Sequence, residues 1–266
     1  MKKNLVEFGL TPQLPYSVEE AINRLRINIS FLGSDIHKIM VISSEPNEGK
    51  SFLAMNLWNQ MAEAGERVLL LDADMRNSNI CKTYDLKRED GNEIKGTSHF
   101  LAGNAGIEEV LMHTKYGDGD IIVNVENVVN PSMLLESSRF ANLLDIVDEH
   151  YRYVFVDAPP LSLVSDAEKI GNLCDGAVLC VRSGVTPKGI VKESARQLER
   201  AGCPLLGVIL NRVDESKGGY GYGRYYYGRY GRYGRYGRYG RYGYGRYGRY
   251  GYGRYGSNYY GGNSDK

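Results

Sequence analysis

A loop able to hold phosphate is written in Ser43-Ser44-Glu45-Pro46-Asn47-Glu48-Gly49-Lys50-Ser51, which separates an apolar run from an amphipathic one. Its core, four residues and then Gly-Lys-Ser, suits a turn whose backbone N–H groups and following helix N-terminus face an anion. In such a loop Lys50 neutralises β and γ oxygens, and Ser51 offers a hydroxyl to Mg²⁺. Ser44 stands where the first glycine of the pattern is usual. Asn47 holds a turn position that often carries glycine, and Asn tolerates positive φ better than most residues. The run from Ser44 to Phe52 is the candidate nucleotide-binding segment.

Carboxylates join this loop at two strand ends. Leu69-Leu70-Leu71-Asp72-Ala73-Asp74-Met75-Arg76 puts two acids two residues apart, on one side of a strand terminus. Val154-Phe155-Val156-Asp157-Ala158-Pro159-Pro160 ends a second apolar strand in an aspartate suited to a Mg²⁺ shell, and the prolines force the chain out of the sheet. An aspartate at a strand end often does no more than start a turn. Three of them beside a phosphate loop point to chemistry.

The elements that must position these groups alternate along the chain. Strands are predicted at 38–43, 68–71, 120–125, 153–156, 176–181 and 205–210, with helices over 50–64, 132–150 and 187–201. Short, uniformly apolar strands alternating with helices predict a doubly wound, mostly parallel α/β sheet covered on both faces. In such sheets the chemistry lies at the carboxyl ends of the strands, where the acids stand.

Composition divides the 266 residues in two. The last 49, Gly218 to Lys266, hold nine Arg and one Lys against Asp265 alone, a charge of +9, whereas the first 217 hold 23 basic and 31 acidic residues, a charge of −8. The tail contains no Ile, Leu, Val, Phe, Met or Trp, so it cannot bury a core and is expected to be disordered. Seventeen of the 22 tyrosines lie there, and all nine tail arginines sit in Gly-Arg-Tyr triplets. Each phosphate placed on such a tyrosine would add about −1.5 to −2, so a handful would cancel the tail's charge. Four scattered cysteines and four isolated histidines suggest neither a disulfide framework nor a zinc site. No apolar stretch approaches the ~18–20 residues needed to span a bilayer, and the protein is expected to be soluble and intracellular.

The three segments Gly49-Lys50-Ser51, Leu69 to Arg76 and Val154 to Pro160 resemble the three Walker-type motifs of the bacterial tyrosine kinases, P-loop enzymes that control capsule and exopolysaccharide synthesis. Gly96 to Gly103, Asn130 to Leu135 and Leu206 to Arg212 agree, and the similarity spans roughly residues 17–214. The resemblance implies a P-loop NTPase fold and an autokinase that uses ATP and Mg²⁺. It would phosphorylate its own C-terminal tyrosines, with Tyr225, Tyr226, Tyr227, Tyr230, Tyr259 and Tyr260 as candidate acceptors. By the same resemblance Lys50, Asp72 and Asp74 are catalytic, with Asp72 as base, and Ser51, Asp72 and Asp157 hold the metal. Ser44, Glu45, Pro46, Asn47, Glu48, Gly49, Lys50, Ser51 and Phe52 bind ATP, with Asn211 and Arg212 at the adenine. Glu20, Asn23 and Arg26 resemble an oligomerisation motif in which Asn23 replaces an arginine; one face of a helix would carry all three.

The expected organisation is an N-terminal extension (1–16), a P-loop kinase domain (17–217) and a disordered acceptor tail (218–266). The implied setting is cytoplasmic, at the inner face of the membrane. There a membrane-embedded polysaccharide co-polymerase adaptor activates the kinase, which forms a homo-oligomeric ring when unphosphorylated, and a cognate tyrosine phosphatase reverses the modification. No nucleic-acid partner is expected. Two alternatives stay open: a partitioning or division-site ATPase on the same fold, and a scaffold whose Arg/Tyr/Gly tail binds nucleic acid by stacking and cation–π contacts.

Overall fold

The chain opens on a short strand, within the segment expected to be a mere extension. A computed structural model describes residues 4–163 and 165–214; the tail, with its candidate acceptor tyrosines, lies outside the described residues. Strand β1 (Val6–Phe8) pairs antiparallel with β4 (Leu86–Arg88). Val6 is buried, and the Phe8 ring packs against Tyr116 and Trp58 at centroid distances of 5.2 and 6.0 Å. The amide of Asn4 donates to the carbonyls of Glu108, Glu109 and Leu111. Val6-Glu7-Phe8 alternates and Gly9 closes it, but three residues are too short a run to mark a strand without the contacts around Phe8.

Helix α1 (Tyr16–Ser30) leads to the central β2 (Lys38–Ser43), and the phosphate loop to α2 (Lys50–Glu63). Gly65, at φ +86°, lies just past the end of α2 in the left-handed conformation typical there. After β3 (Val68–Asp72) come α3 (Ile80–Thr83), then α4 (Thr97–Leu101) and α5 (Ile107–Val110) beyond β4. The edge strand β5 (Met112–His113) and its neighbour β6 (Gly119–Ile122) precede α6 (Pro131–Leu135) and α7 (Ser138–Asp148). The chain continues through β7 (Tyr153–Asp157), α8 (Asp166–Gly171), β8 (Gly176–Arg182), α9 (Lys188–Arg200) and β9 (Leu205–Asn211).

The main sheet runs β5-β6-β3-β7-β2-β8-β9, parallel throughout except for the β5–β6 pair. Its strands are apolar on both faces, and alternation decides which helix each residue meets. Met40, Ile42, Leu69, Leu71, Val154 and Val156 face a core shared with Phe140, Leu143 and Leu144 of α7 and Leu198 of α9. Ile39, Val41, Leu70 and Phe155 face the opposite core, with Leu53, Leu57, Trp58 and Met61 of α2 and Ile22 and Ile29 of α1.

Two predicted elements are shorter than expected, each for a local reason. The helix over 132–150 breaks at Ser137, whose backbone is extended and whose hydroxyl bonds back to Leu134 O at 2.6 Å, so a new helix starts at Ser138. The strand over 120–125 ends at Ile122. Beyond it Val123 O accepts from Thr97 N–H at 2.9 Å, and Asn124 N–H turns to the Asp72 carboxylate at 3.3 Å.

Candidate active site

The phosphate loop follows β2 at the middle of the sheet. Asn47 has φ +62° and Gly49 φ +97°, so left-handed residues alternate with others, as in a backbone nest for anions. Glycine is required at 49 on two counts: its φ, and an added Cβ would lie 2.1 Å from Asn211 Nδ2. Pro46 and Asn47 are exposed at the loop's tip, while Ser44 and Glu48 are buried. The Ser44 hydroxyl accepts from Ser194 at 2.9 Å, and the Glu45 carboxylate from Ser162 at 3.1 Å. Phe52, in the first turn of α2, is 36% exposed.

Lys50 begins α2 and meets the acids of both strand ends. Its Nζ lies 3.0 Å from Asp74 Oδ2, 3.4 Å from Asp157 Oδ1 and 3.2 Å from Ser51 Oγ. Burial alone would depress the ammonium, but Asp157 and Asp74 outweigh it and hold Lys50 above the ordinary lysine range. Asp72 and Asp157 are directly opposed in the β3–β7 register. Burial, then the charge of Asp157, pushes the Asp72 carboxyl up, against the pull of the Ser78 hydroxyl. Burial also raises Asp157, against Lys50 and Ser51.

Several residues that hold these groups were not read from the sequence. Asp72 accepts from Asp74 N–H at 3.1 Å, from Asn124 N–H and from Ser78 Oγ. The Thr97 hydroxyl donates to Asp72 O at 2.7 Å. Arg76 pairs through Nε with the buried Asp166 at 2.7 Å, and Ser132 donates to the same carboxylate at 2.5 Å. Asp74 and Ser78 follow Asp72 closely, whereas Asn124, Thr97, Asp166 and Ser132 come from distant segments and form no contiguous motif. Asn211 and Arg212 lie where β9 ends: Asn211 Nδ2 donates to Glu48 O at 2.8 Å, and Arg212, at φ +54°, donates its N–H to Asn211 Oδ1.

Glu20, Asn23 and Arg26 belong to α1 and are not among the contacts of the strand-end cluster. They line a cavity of about 380 Å³ shared with Gln60 and Glu63 of α2. Arg26 donates through Nε and Nη2 to Asn23 Oδ1 at 3.2 and 3.0 Å, and Glu20 pairs with Arg24 at 3.1 Å.

Three buried carboxylates around one lysine leave an excess of negative charge, and their donors are hard oxygens. That set suits a divalent cation shared with phosphate oxygens. It is not a self-sufficient metal cage: among the described residues no group of three or more His, Cys, Asp or Glu is arranged to hold a metal alone.

A parallel sheet with a phosphate loop after β2 and acids ending the next two strands, β7 and β3, defines a P-loop NTPase-type protein. A family model described as an AAA domain matches residues 37–169. The chain is 34% identical over 208 residues to the tyrosine-protein kinase CpsD of Streptococcus agalactiae, covering 78% of this chain and 89% of that protein. The kinase domain of the Escherichia coli tyrosine kinase ETK superposes with a TM-score of 0.67 and 28% identity, over 80% of this chain and 86% of that one. The septum site-determining protein MinD of Pyrococcus horikoshii, solved with Mg-ADP, shares the fold alone: TM-score 0.58 and 21% identity over 68% and 72% of the chains. The chain belongs to the bacterial tyrosine-protein kinases, the family of CpsD.

Proposed function

We infer that this kinase binds Mg-ATP on the loop from Ser44 to Phe52 and transfers the γ-phosphoryl group to tyrosines of its own C-terminal cluster, in the control of capsule or exopolysaccharide synthesis. The observation that carries the reading is Lys50, partly buried at the end of the loop between Asp74 and Asp157. Facing phosphate, its ammonium and the loop N–H groups stabilise charge that develops on the transferring group. A magnesium ion held by Ser51, Asp157 and Asp72 would supply neutralisation of the β and γ oxygens. Asp72, whose proton affinity burial raises, is the candidate to accept the phenol proton as the new O–P bond forms and ADP leaves. Asp74 supports Lys50, and Asn211 and Arg212 lie at the end of the site assigned to adenine.

The tyrosines of the described residues favour the tail as acceptor. Tyr84, Tyr151 and Tyr153 are 5%, 6% and 3% exposed, and the Tyr116 hydroxyl lies 3.2 Å from Thr11 Oγ1. Burial pushes the Tyr84 phenol up to about 12. Among the described residues Tyr16 alone stands well exposed, at 76%. Seventeen tyrosines remain in the tail.

No helix among the described residues is long and apolar enough to cross a membrane. A cytoplasmic kinase recruited to the membrane by a separate polysaccharide co-polymerase adaptor fits that observation. Ring assembly through Glu20, Asn23 and Arg26, and reversal by a tyrosine phosphatase, complete the proposal. Incubating the full chain with labelled Mg-ATP and mapping phosphate by mass spectrometry tests it. Phosphate concentrated between Tyr220 and Tyr260 is expected; phosphate mainly on Tyr16 or Tyr116, or none with the adaptor's cytoplasmic segment added, overturns it.

A further inference from the structure

A carboxylate in a phosphate loop is electrostatically out of place, because it repels the ligand. Glu48 is such a residue, and it is only 2% exposed. Its charge is fully occupied. Oε2 accepts from Glu45 N–H at 2.9 Å, across the loop's own turn, and Oε1 accepts from Arg182 N–H at 3.2 Å and from the Thr186 hydroxyl. Its carbonyl is occupied as well, by Asn211 Nδ2 at 2.8 Å and by Cys180 Sγ at 3.4 Å. Asn211 also fills the space that a side chain at position 49 would need. One loop residue is therefore fastened to β8, to the turn after β8 and to the end of β9.

We propose that Glu48 and Asn211 are positioning residues, a clamp that fixes the curvature of the phosphate loop, with Thr186 as its outer anchor. The proposal rests on the reading that ATP occupies this loop. The tip at Pro46 and Asn47 is exposed, so the loop's shape is set from its buried side. A loop that must be ordered on binding gives up affinity to that ordering. A clamp formed beforehand removes the cost and leaves the N–H groups facing one point. Two carboxylate oxygens offer an acceptor to all three donors, and an amide does not. After Glu48→Gln the new amide nitrogen would face either Glu45 N–H or Arg182 N–H, a donor against a donor.

Charge and clamp predict opposite signs. If Glu48 matters only as a charge near phosphate, Glu48→Gln relieves repulsion and tightens nucleotide binding. If it is a clamp, the same change weakens binding. In the full-length protein, Glu48→Gln is expected to raise the KM for ATP and the Kd for ADP by roughly tenfold or more, the effect of a lost buried hydrogen bond to a charged group. The kcat should stay within about threefold, as for lost uniform binding. Thr186→Val keeps the shape, removes the hydroxyl and should weaken both nucleotides several-fold; Thr186→Ser should restore wild-type values. Should Glu48→Gln fail to fold, as judged by its melting curve, the Thr186 pair decides. Glu48→Gln and Thr186→Val proteins that are folded and bind ADP as tightly as wild type overturn the clamp. A Thr186→Ser protein as weak as Thr186→Val does the same. A wild-type protein that binds neither ATP nor ADP overturns the nucleotide reading and the clamp with it.

Discussion

The strand-end cluster and the α1 row show two ways of using charge. Lys50, Asp72, Asp74 and Asp157 are held where β2, β3 and β7 end, with Asp72 and Asp157 no more than 1% exposed and every carboxylate given a partner. Glu20, Asn23 and Arg26 on α1 are half-buried and bond mainly to one another or to a neighbour on the same helix. In the first region desolvation makes each charge costly, so positions are over-determined and small changes propagate. In the second, solvent screens each pair and partners can exchange at little cost. The first arrangement suits chemistry and the second suits reversible association.

The largest test of that contrast is Lys50→Met. It should lower phosphotyrosine formation at least about a hundredfold, the scale of losing a group that stabilises transition-state charge. Activity within tenfold of wild type in a folded Lys50→Met protein would break the comparison. Next is Ser78→Ala, which removes a donor to Asp72 and leaves the phosphate loop's own bonds unchanged. About a tenfold drop in kcat with little change in the KM for ATP is expected; a change in KM alone would move Ser78 to the binding machinery.

Asp72→Asn sharpens the stability side. Burial and Asp157 raise the folded-state value of Asp72, so its contribution to stability is present in full below the ordinary aspartate range, about pH 4, and is lost as pH rises through the raised value. Whatever the amide nitrogen costs against Asp74 N–H or Asn124 N–H, which does not depend on pH, the stability of the Asn variant relative to wild type should rise by on the order of 1 kcal/mol between pH 4 and pH 8, while transfer activity falls. Melting curves at the two pH values decide; a gain that does not depend on pH would remove the electrostatic explanation. The smallest effects belong to α1. Glu20→Ala should change stability by no more than about 0.5 kcal/mol. Asn23→Arg should alter folding equally little but raise the apparent mass in light scattering, by restoring a cation to the row.

How much was legible follows from how each feature is encoded. The loop, Asp72 and Asp157 lie in contiguous runs with a strand before them, so spacing alone placed them at the ends of β2, β3 and β7. The left-handed Asn47 was likewise readable from the residue type. Partners supplied through space were not: Ser78 and Asn124 on Asp72, Asp166 on Arg76, Thr186 on Glu48. Ser78 reaches back from the loop directly after β3, and the others are ordinary loop or helix-end residues until the fold brings them near. Strands β1 and β4 were missed for a similar reason, since three residues each give too little pattern until the Phe8–Trp58–Tyr116 contacts are seen.

The opposed register of Asp72 and Asp157 also bears on how the family can diverge. Two acids on neighbouring strands are separated by the hydrogen-bonded spacing of the sheet, about 4.7–4.9 Å between strands, and not by any loop. Within the long stretch between them, the exposed turn at 89–93 can be lengthened, trimmed or exchanged through evolutionary time without moving one carboxylate relative to the other, whereas β6, α7 and the Asp72 partners Ser78, Thr97 and Asn124 are fixed by packing and hydrogen bonds. Sequence can be rewritten in such a turn while the spacing of the two acids is inherited unchanged. An engineer has the same freedom in that turn, and none within β3 or β7.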